Sequence, residues 1–101
     1  MKPNRKESPL QQQCAEEELF KALAALQDSK EVQIFLKDLC TPNELQALVD
    51  RWQVVKYLQM KLPYRAIHDL TGVSVTTIGR VARCLTDGTG GYHTAINRVS
   101  H

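Results

Sequence analysis

The chain of 101 residues is 43% apolar and 24% charged, which is ordinary globular composition and enough for one domain. Its formal charge of +2 is unevenly distributed, because residues 7–50 carry nine acids against three lysines and residues 51–85 carry six basic residues against one acid. This predicts a phosphate-facing half and a solvated half. The three cysteines are widely spaced, and there is no zinc-ligand spacing, signal-peptide core or apolar run of membrane-spanning length. These absences predict a cytoplasmic protein without disulfides, metal or cofactor.

The first part of the chain predicts a short arm followed by two helices. Residues 1–9 are charged and hold two prolines, so they are predicted to be a flexible arm. Leucines then recur at helical spacing, which predicts a first helix over residues 11–27. These leucines are Leu19, Leu23 and Leu26. Asp28 and Ser29 mark a break, because both residue types cap helices. A second, shorter helix follows, with one apolar side formed by Val32, Phe35, Leu36 and Leu39.

The third helix has the clearest start signal. Thr41 supplies a capping hydroxyl, Pro42 stands at the first helical position and Glu44 completes a capping box. An apolar stripe then steps by three and four towards Met60, through Leu45, Leu48, Trp52, Val55 and Leu58. Trp52 is interpreted as a core or interface anchor. Residues 10–62 are predicted to be a dimerisation region, because so short a chain with long apolar helices gains from a partner that shares its core.

Pro63 breaks this periodicity and begins a helix-turn-helix pattern over residues 63–85. A short helix over residues 64–70, a tight turn at Gly72 and a second helix capped by Ser74 follow one another. Glycine suits the turn because a positive φ costs it least. The inward residues are expected to be Ile67 and Leu70 on the first helix, and Ile78, Val81 or Ala82, and Leu85 on the second.

The second helix of this pattern carries a face suited to the major groove of DNA. Small residues let a helix approach base edges, and arginine forks onto guanine or phosphate. The predicted DNA contacts are Val75, Thr76, Gly79, Arg80 and Arg83 on this helix, Ser74 at its N-terminus, and Arg65 and His68 on the preceding helix. His68 departs from the general pattern, in which alanine is common because the helices cross closely. A wider crossing, or an outward His68 that faces DNA, would accommodate it.

The last part of the chain, residues 86–101, combines a glycine-rich turn with a tail helix. The run from Asp87 to Gly91 stops the preceding helix, and residues 92–99 predict a last short helix. The whole chain shows no β pattern, no nucleophile–base pair and no motif of paired carboxylates. The sequence therefore predicts an all-α domain of about six helices that is not an enzyme.

The chain resembles the Trp repressor family over about residues 14–99, and within it the Trp-repressor-like group. The resemblance depends on the segment 39–48 and on matches at Arg51, Arg65, Thr71, Gly72, Thr77, Ile78, Arg80 and Leu85. It implies an intertwined homodimer whose N-terminal helices share one core. It also implies two recognition helices that are presented to successive major grooves.

The resemblance further implies a candidate effector site. In the founding member of the family, tryptophan lies between two arginines that match Arg51 and Arg80, and a threonine that matches Thr41 lines the same site. Val81 stands where the tryptophan-binding member has glycine, and Cys84 stands where it has serine. Because a buried ring tolerates little overlap, Val81 predicts that an effector of this chain is not tryptophan.

These observations predict a sequence-specific transcriptional regulator, expected to be a repressor, that binds a double-stranded operator as a homodimer. The alternative is a dimeric protein-interaction module that reuses the helix-turn-helix surface. Basic outward residues and small residues at the helix start favour DNA, whereas a protein-docking face would show outward aromatics or leucines.

Overall fold

Six α-helices make up residues 7–100, the part of the chain that the computed structural model describes, and no β-strand occurs within that part. In chain order they are α1 (Pro9–Ala25), α2 (Ser29–Leu39), α3 (Pro42–Gln59), α4 (Tyr64–Thr71), α5 (Val75–Asp87) and α6 (Gly91–Val99). They fall into two units that divide after Cys40. None of the described helices is long and apolar enough to cross a membrane. The predicted all-α class with about six helices is confirmed.

The first unit begins with a reciprocal cap. The Ser8 hydroxyl accepts from the N–H of Gln11 at 3.2 Å, and the Gln11 side chain accepts from the N–H of Ser8 at 2.8 Å. α1 therefore starts earlier than the predicted residue 11, and Ser8 and Pro9 belong to the helix start instead of the predicted arm. The rest of that arm, residues 1–6, lies outside the described residues.

Large apolar side chains remain exposed on α1 and α2. They are Leu10, Leu19, Phe20, Ile34 and Leu39, with exposed fractions between 36% and 69%. Neither helix buries any residue. Most helical stability in proteins comes from packing an apolar face, so this unit lacks a core of its own.

α3 begins at the predicted capping box. The Thr41 hydroxyl accepts from the N–H of Glu44 at 3.1 Å, and the Glu44 carboxylate accepts from the N–H of Thr41 at 2.8 Å. These bonds lower the pKa of Glu44, first through the backbone N–H of Thr41 and then through its hydroxyl. The stabilisation is present above the ordinary pKa of a glutamate and is lost as the pH falls through the lowered pKa.

The core of the second unit lies where α3, α4 and α5 meet. Its buried residues are Val54, Val55, Ile67, Val73, Ile78 and Val81. Half-buried side chains surround them, namely Tyr57, Leu58, Leu62, Leu85, Tyr92 and Ile96. Each fully buried valine or isoleucine stabilises the fold by about 1.5–3 kcal/mol. These contacts hold α5 firmly against α3.

The inward residues of the helix-turn-helix are mostly as predicted, with one correction. Leu70 was expected to face inward, but 61% of its surface is exposed, whereas Ile67 is fully buried. α4 has only eight residues before the chain turns, and Val73 in the turn takes the inward place instead. On α5, Val81 is fully buried and Ala82 is half-buried, so Val81 is the main inward residue of that pair.

The apolar stripe of α3 is buried near the C-terminal end of the helix and largely exposed before it. Towards the C-terminus Val54 and Val55 are buried, whereas Leu48 and Trp52 keep 41% and 42% of their surface exposed. The Trp52 ring stacks on that of Tyr92 in α6, with centroids 6.4 Å apart and an interplanar angle of 22°. Trp52 is therefore not a core residue of the described chain, and part of its ring stays open.

Candidate nucleic-acid interface

A network of hydrogen bonds holds the turn between α4 and α5. Gly72 has a φ of 77°, in the left-handed region that glycine enters without strain, and its N–H donates to the His68 carbonyl at 2.7 Å. The Thr71 hydroxyl donates to the Ile67 carbonyl at 2.7 Å and accepts from the N–H of Val73 at 3.1 Å. With Val73 buried, these bonds fix the path of the chain from one helix to the next.

His68 adds a bond across this turn that the sequence analysis missed. Its Nδ1 lies 2.8 Å from the carbonyl oxygen of Val73. A carbonyl oxygen can only accept, so Nδ1 carries a proton and donates. The side chain is exposed and spans the turn, so it does not enter the crossing of the helices. Of the two ways of accommodating His68 that the sequence left open, this geometry favours the outward one.

The N-terminus of α5 is open to solvent. The Ser74 hydroxyl accepts from the N–H of Thr77 at 3.1 Å and donates to the Thr77 hydroxyl at 3.0 Å. Among the described residues, no hydrogen bond occupies the N–H groups of Val75 and Thr76. These donors and the positive end of the helix dipole point away from the protein, where an anion is favoured.

The predicted DNA contacts lie mostly at the surface. The exposed ones are Arg65, His68, Ser74, Val75, Thr76, Arg80 and Arg83, while Gly79 is half-buried. The opposite face of α5 is anchored in the core by Ile78 and Val81. α5 is thus held by one side and presents the other, which is the arrangement that a helix entering a DNA groove requires.

Gly79 lies within this exposed face, and no neighbour explains its missing side chain. A β-carbon added at Gly79 would lie 3.9 Å from Cε2 of Tyr64, which is an ordinary contact. Glycine inside a helix costs about 1 kcal/mol relative to alanine. What it provides is a thin helix surface, which close approach of another molecule requires. Tyr64 itself, 42% exposed beside this face, was missed, although its place next to Arg65 at the start of α4 could have indicated it.

Comparison with known proteins agrees with this architecture. The family model described as Trp repressor protein matches residues 15–100. The chain belongs to the Trp repressor family. The predicted resemblance is confirmed, and the family is one of DNA-binding regulators and not of enzymes. A relative, the uncharacterized protein YerC of Bacillus subtilis (strain 168), is 41% identical over 83 residues, which cover 82% of this chain and 80% of that protein.

Two solved structures of the family share the fold. A TrpR like protein from Eubacterium eligens ATCC 27750 is 40% identical with a TM-score of 0.79, over 85% of this chain and 89% of that one. A Staphylococcus aureus protein described as a candidate Trp repressor is 34% identical with a TM-score of 0.81, over 93% of this chain and 96% of that one. The fold described above is therefore shared with both of these proteins.

The candidate effector residues do not all line the same cavity. Arg80 and Cys84 line a cavity of about 240 Å³, which they share with Arg83, Asp87 and Gly88. Thr41 caps α3 and half-buried Arg51 lies further along the same helix. Val81 has no exposed surface, because it belongs to the core of the second unit. The cavity brings Arg80 and Cys84 together, and Thr41, Arg51 and Val81 do not line it.

The described histidines and cysteines are not arranged to bind a metal. Within residues 7–100, no three side chains of histidine, cysteine, aspartate or glutamate form a group that could hold an ion. His68 and His93 each bond a backbone carbonyl oxygen instead, at Val73 and Leu85 respectively.

Proposed function

We propose that this protein is a sequence-specific transcriptional regulator, acting as a repressor, which binds a double-stranded operator as a homodimer in the cytoplasm. The observation that carries the proposal is the exposed face of α5. Ile78 and Val81 anchor the helix in the core, and the opposite side offers Thr76 and Arg80 to a ligand. Side chains of these types read base edges in the major groove.

The charge distribution supports DNA as the ligand. Residues 51–85, which include the whole helix-turn-helix, carry six basic residues against one acid. Such a concentration of positive charge attracts the phosphate backbone irrespective of sequence. Exposed Arg65 at the start of α4 suits a phosphate contact that sets the register of α5 on the duplex.

Exposed apolar surface supports the homodimer. α1 and α2 bury no residue, and Phe20 and Ile34 keep 58% and 52% of their surface exposed. On the second unit, α3 and α6 border an open groove of about 620 Å³ whose apolar lining includes Val49, Trp52 and Val99. A second copy of the chain would remove such surface from water. Two helix-turn-helix units related by a two-fold axis would then meet half-sites about 34–36 Å apart.

The direct test is selection of bound duplexes from a random-sequence pool. Repeated rounds with the purified protein are expected to enrich one palindromic sequence, because a symmetric dimer reads two inverted half-sites. If the protein retains duplexes but no sequence is enriched, sequence specificity is contradicted. A pool that is not retained at low salt would overturn DNA binding altogether.

Arg65→Ala is expected to weaken binding to every duplex by a similar factor. Loss of one phosphate contact per subunit should also reduce the slope of log affinity against log salt by about 1 per subunit, hence about 2 per dimer. Fluorescence anisotropy at several salt concentrations measures both quantities. Arg98→Ala is the control, because it removes the same charge from an exposed position on α6. Equal salt slopes for the two variants would show that α4 does not contact the backbone.

Tryptophan is not expected to act as the effector. The cavity lined by Arg80 and Cys84 does not include Thr41 or Arg51, so the single chain does not bring the candidate effector residues together in one pocket. Val81 fills the core instead of leaving room for a ring. Titration calorimetry with millimolar tryptophan should show no saturating heat, and affinity for the selected duplex should not change. Saturation at one tryptophan per subunit would contradict this, whereas Arg51 and Arg80 would suit another carboxylate or a phosphate.

One observation favours a second candidate function, a dimeric protein-interaction module that reuses the helix-turn-helix surface. Tyr64 and Leu70 keep 42% and 61% of their surface exposed on α4, and outward aromatics and leucines are typical of protein-docking faces. The duplex selection separates the two functions, because a protein-docking module would retain no DNA. Tyr64→Ala and Leu70→Ala should then abolish partner binding without affecting the fold.

A further inference from the structure

The two ring nitrogens of His68 have different surroundings. Nδ1 lies 2.8 Å from the Val73 carbonyl oxygen and must donate to it. In the neutral ring the other nitrogen, Nε2, therefore has no proton and presents a lone pair. Within the described residues the Val73 bond is the one hydrogen bond of the ring, and the side chain is exposed. Nε2 can thus accept a hydrogen bond when the ring is neutral, and it can donate one only when the ring is an imidazolium.

His68 also lies on the side of α4 that carries Arg65. Residues three apart on a helix are neighbours on its surface, and both side chains are exposed. If Arg65 contacts a backbone phosphate, His68 is close to the same strand. A lone pair is unfavourable beside a phosphate oxygen, whereas an imidazolium N–H donates to it in a charge-assisted hydrogen bond.

The helices that pack around His68 carry ionisable groups of both signs. On α4 and on the two helices packed against it, the ionisable groups are Tyr64, Arg65 and Asp69 on α4, Arg80, Arg83, Cys84 and Asp87 on α5, and Glu44, Asp50, Arg51, Lys56 and Tyr57 on α3. Five of these are basic and four are carboxylic acids. A strand of phosphates beside the ring adds negative charge, and negative charge favours the protonated ring.

We propose that DNA binding by this protein is coupled to the uptake of one proton by His68 in each subunit. The inference deepens the proposed function and depends on it. The Val73 bond keeps the proton of the neutral ring on Nδ1. Only the charged ring therefore has an N–H at Nε2 that can donate to a phosphate. Because histidine changes charge between pH 5 and 8, affinity for DNA rises as the pH falls from 8 to 6. For each proton taken up, the affinity for DNA can change by at most ten-fold per pH unit, which is the linkage limit.

The test measures affinity for the duplex selected from the random pool at pH 6, 7 and 8 and constant ionic strength. We expect the natural protein to bind at least about five-fold more tightly at pH 6 than at pH 8, within the linkage limit. His68→Asn keeps an N–H donor near the position of Nδ1 and removes Nε2. It should retain the thermal stability of the natural protein and lose the pH dependence. His68→Ala should lose the pH dependence and also some stability, because the bond to Val73 is gone.

His93→Gln is the matched control. His93 is also exposed and bonds a carbonyl oxygen, that of Leu85, at 2.7 Å through Nε2, but it lies on α6. This variant should keep the pH dependence of the natural protein. Nitrogen NMR of the free protein provides an independent measurement, in which the neutral ring of His68 is expected to carry its proton on Nδ1.

Three results would overturn the coupling and leave DNA binding intact. The first is that His68→Asn keeps the pH dependence of the natural protein. The second is that the natural protein binds tightly with no pH dependence. The third is that the neutral His68 ring carries its proton on Nε2. A natural protein that binds no duplex at any pH would overturn the proposed function, and the coupling with it.

Discussion

Val81→Gly is expected to lower the free energy of unfolding by about 3 kcal/mol. The Val81 side chain has no exposed surface and packs in the cluster with Val55 and Ile78. Loss of a buried valine costs about 1.5–3 kcal/mol, and glycine is a poorer helix former than valine by roughly 0.3–0.5 kcal/mol. Chemical denaturation of the purified variant at a fixed protomer concentration measures the difference.

Ala82→Gly separates the two contributions. Ala82 is the next residue on α5 and is only half-buried, so its replacement should cost about 1 kcal/mol through helix propensity alone. If Val81→Gly were no more destabilising than Ala82→Gly, the valine side chain would not be a core contact. The space at residue 81 would then be open to a ligand such as tryptophan.

Phe20→Asp is expected to convert the proposed homodimer into monomers at micromolar concentration. Phe20 is 58% exposed on a helix that buries nothing in a single chain. A carboxylate at a position that a second copy covers leaves a charge buried without a partner, which costs several kcal/mol. A cost of about 4 kcal/mol would raise the dissociation constant of the dimer roughly 1,000-fold. Light scattering should report the 11.4 kDa chain in place of its dimer, and affinity for the duplex should fall with it.

Gln13→Asp provides the comparison for this variant. It introduces the same charge on the same helix, but the residue that it replaces is already polar and exposed. This variant should stay dimeric and bind DNA normally. Two variants that both remain dimeric would show that Phe20 lies outside the subunit interface. A natural protein of monomer mass would contradict the homodimer itself.

Much of the fold could be predicted because its signals are local. The Thr41 cap of α3 and the Ser74 cap of α5 each depend on a hydrogen bond to a residue three positions along the chain. Gly72 was expected to adopt a positive φ, and it has a φ of 77°. Helix starts and tight turns need only a few consecutive residues, so their residue types suffice to locate them.

The candidate site was predictable to the extent that it follows from helical spacing. Thr76, Arg80 and Arg83 were assigned outward positions because their spacing puts them on one side of the helix, Arg65 was assigned one at the start of the preceding helix, and all four are exposed. Spacing does not identify hydrogen-bond partners across a turn. The bond from His68 to Val73 and the position of Tyr64 beside Gly79 depend on where two helices meet, so they could not be found in this way.

The sequence by itself determined the helices, their caps, the turn and the polar side of α5, because each depends on neighbours within one or two helical turns. The tertiary structure alone decided which apolar residues are buried. Leu70, Leu48 and Trp52 fit the helical spacing as well as Val55 does, yet they are exposed. Periodicity places a residue on a side of its helix, but burial needs another helix to cover that side. In this chain α3, α4 and α5 cover one another, whereas α1 and α2 leave Phe20 and Ile34 exposed.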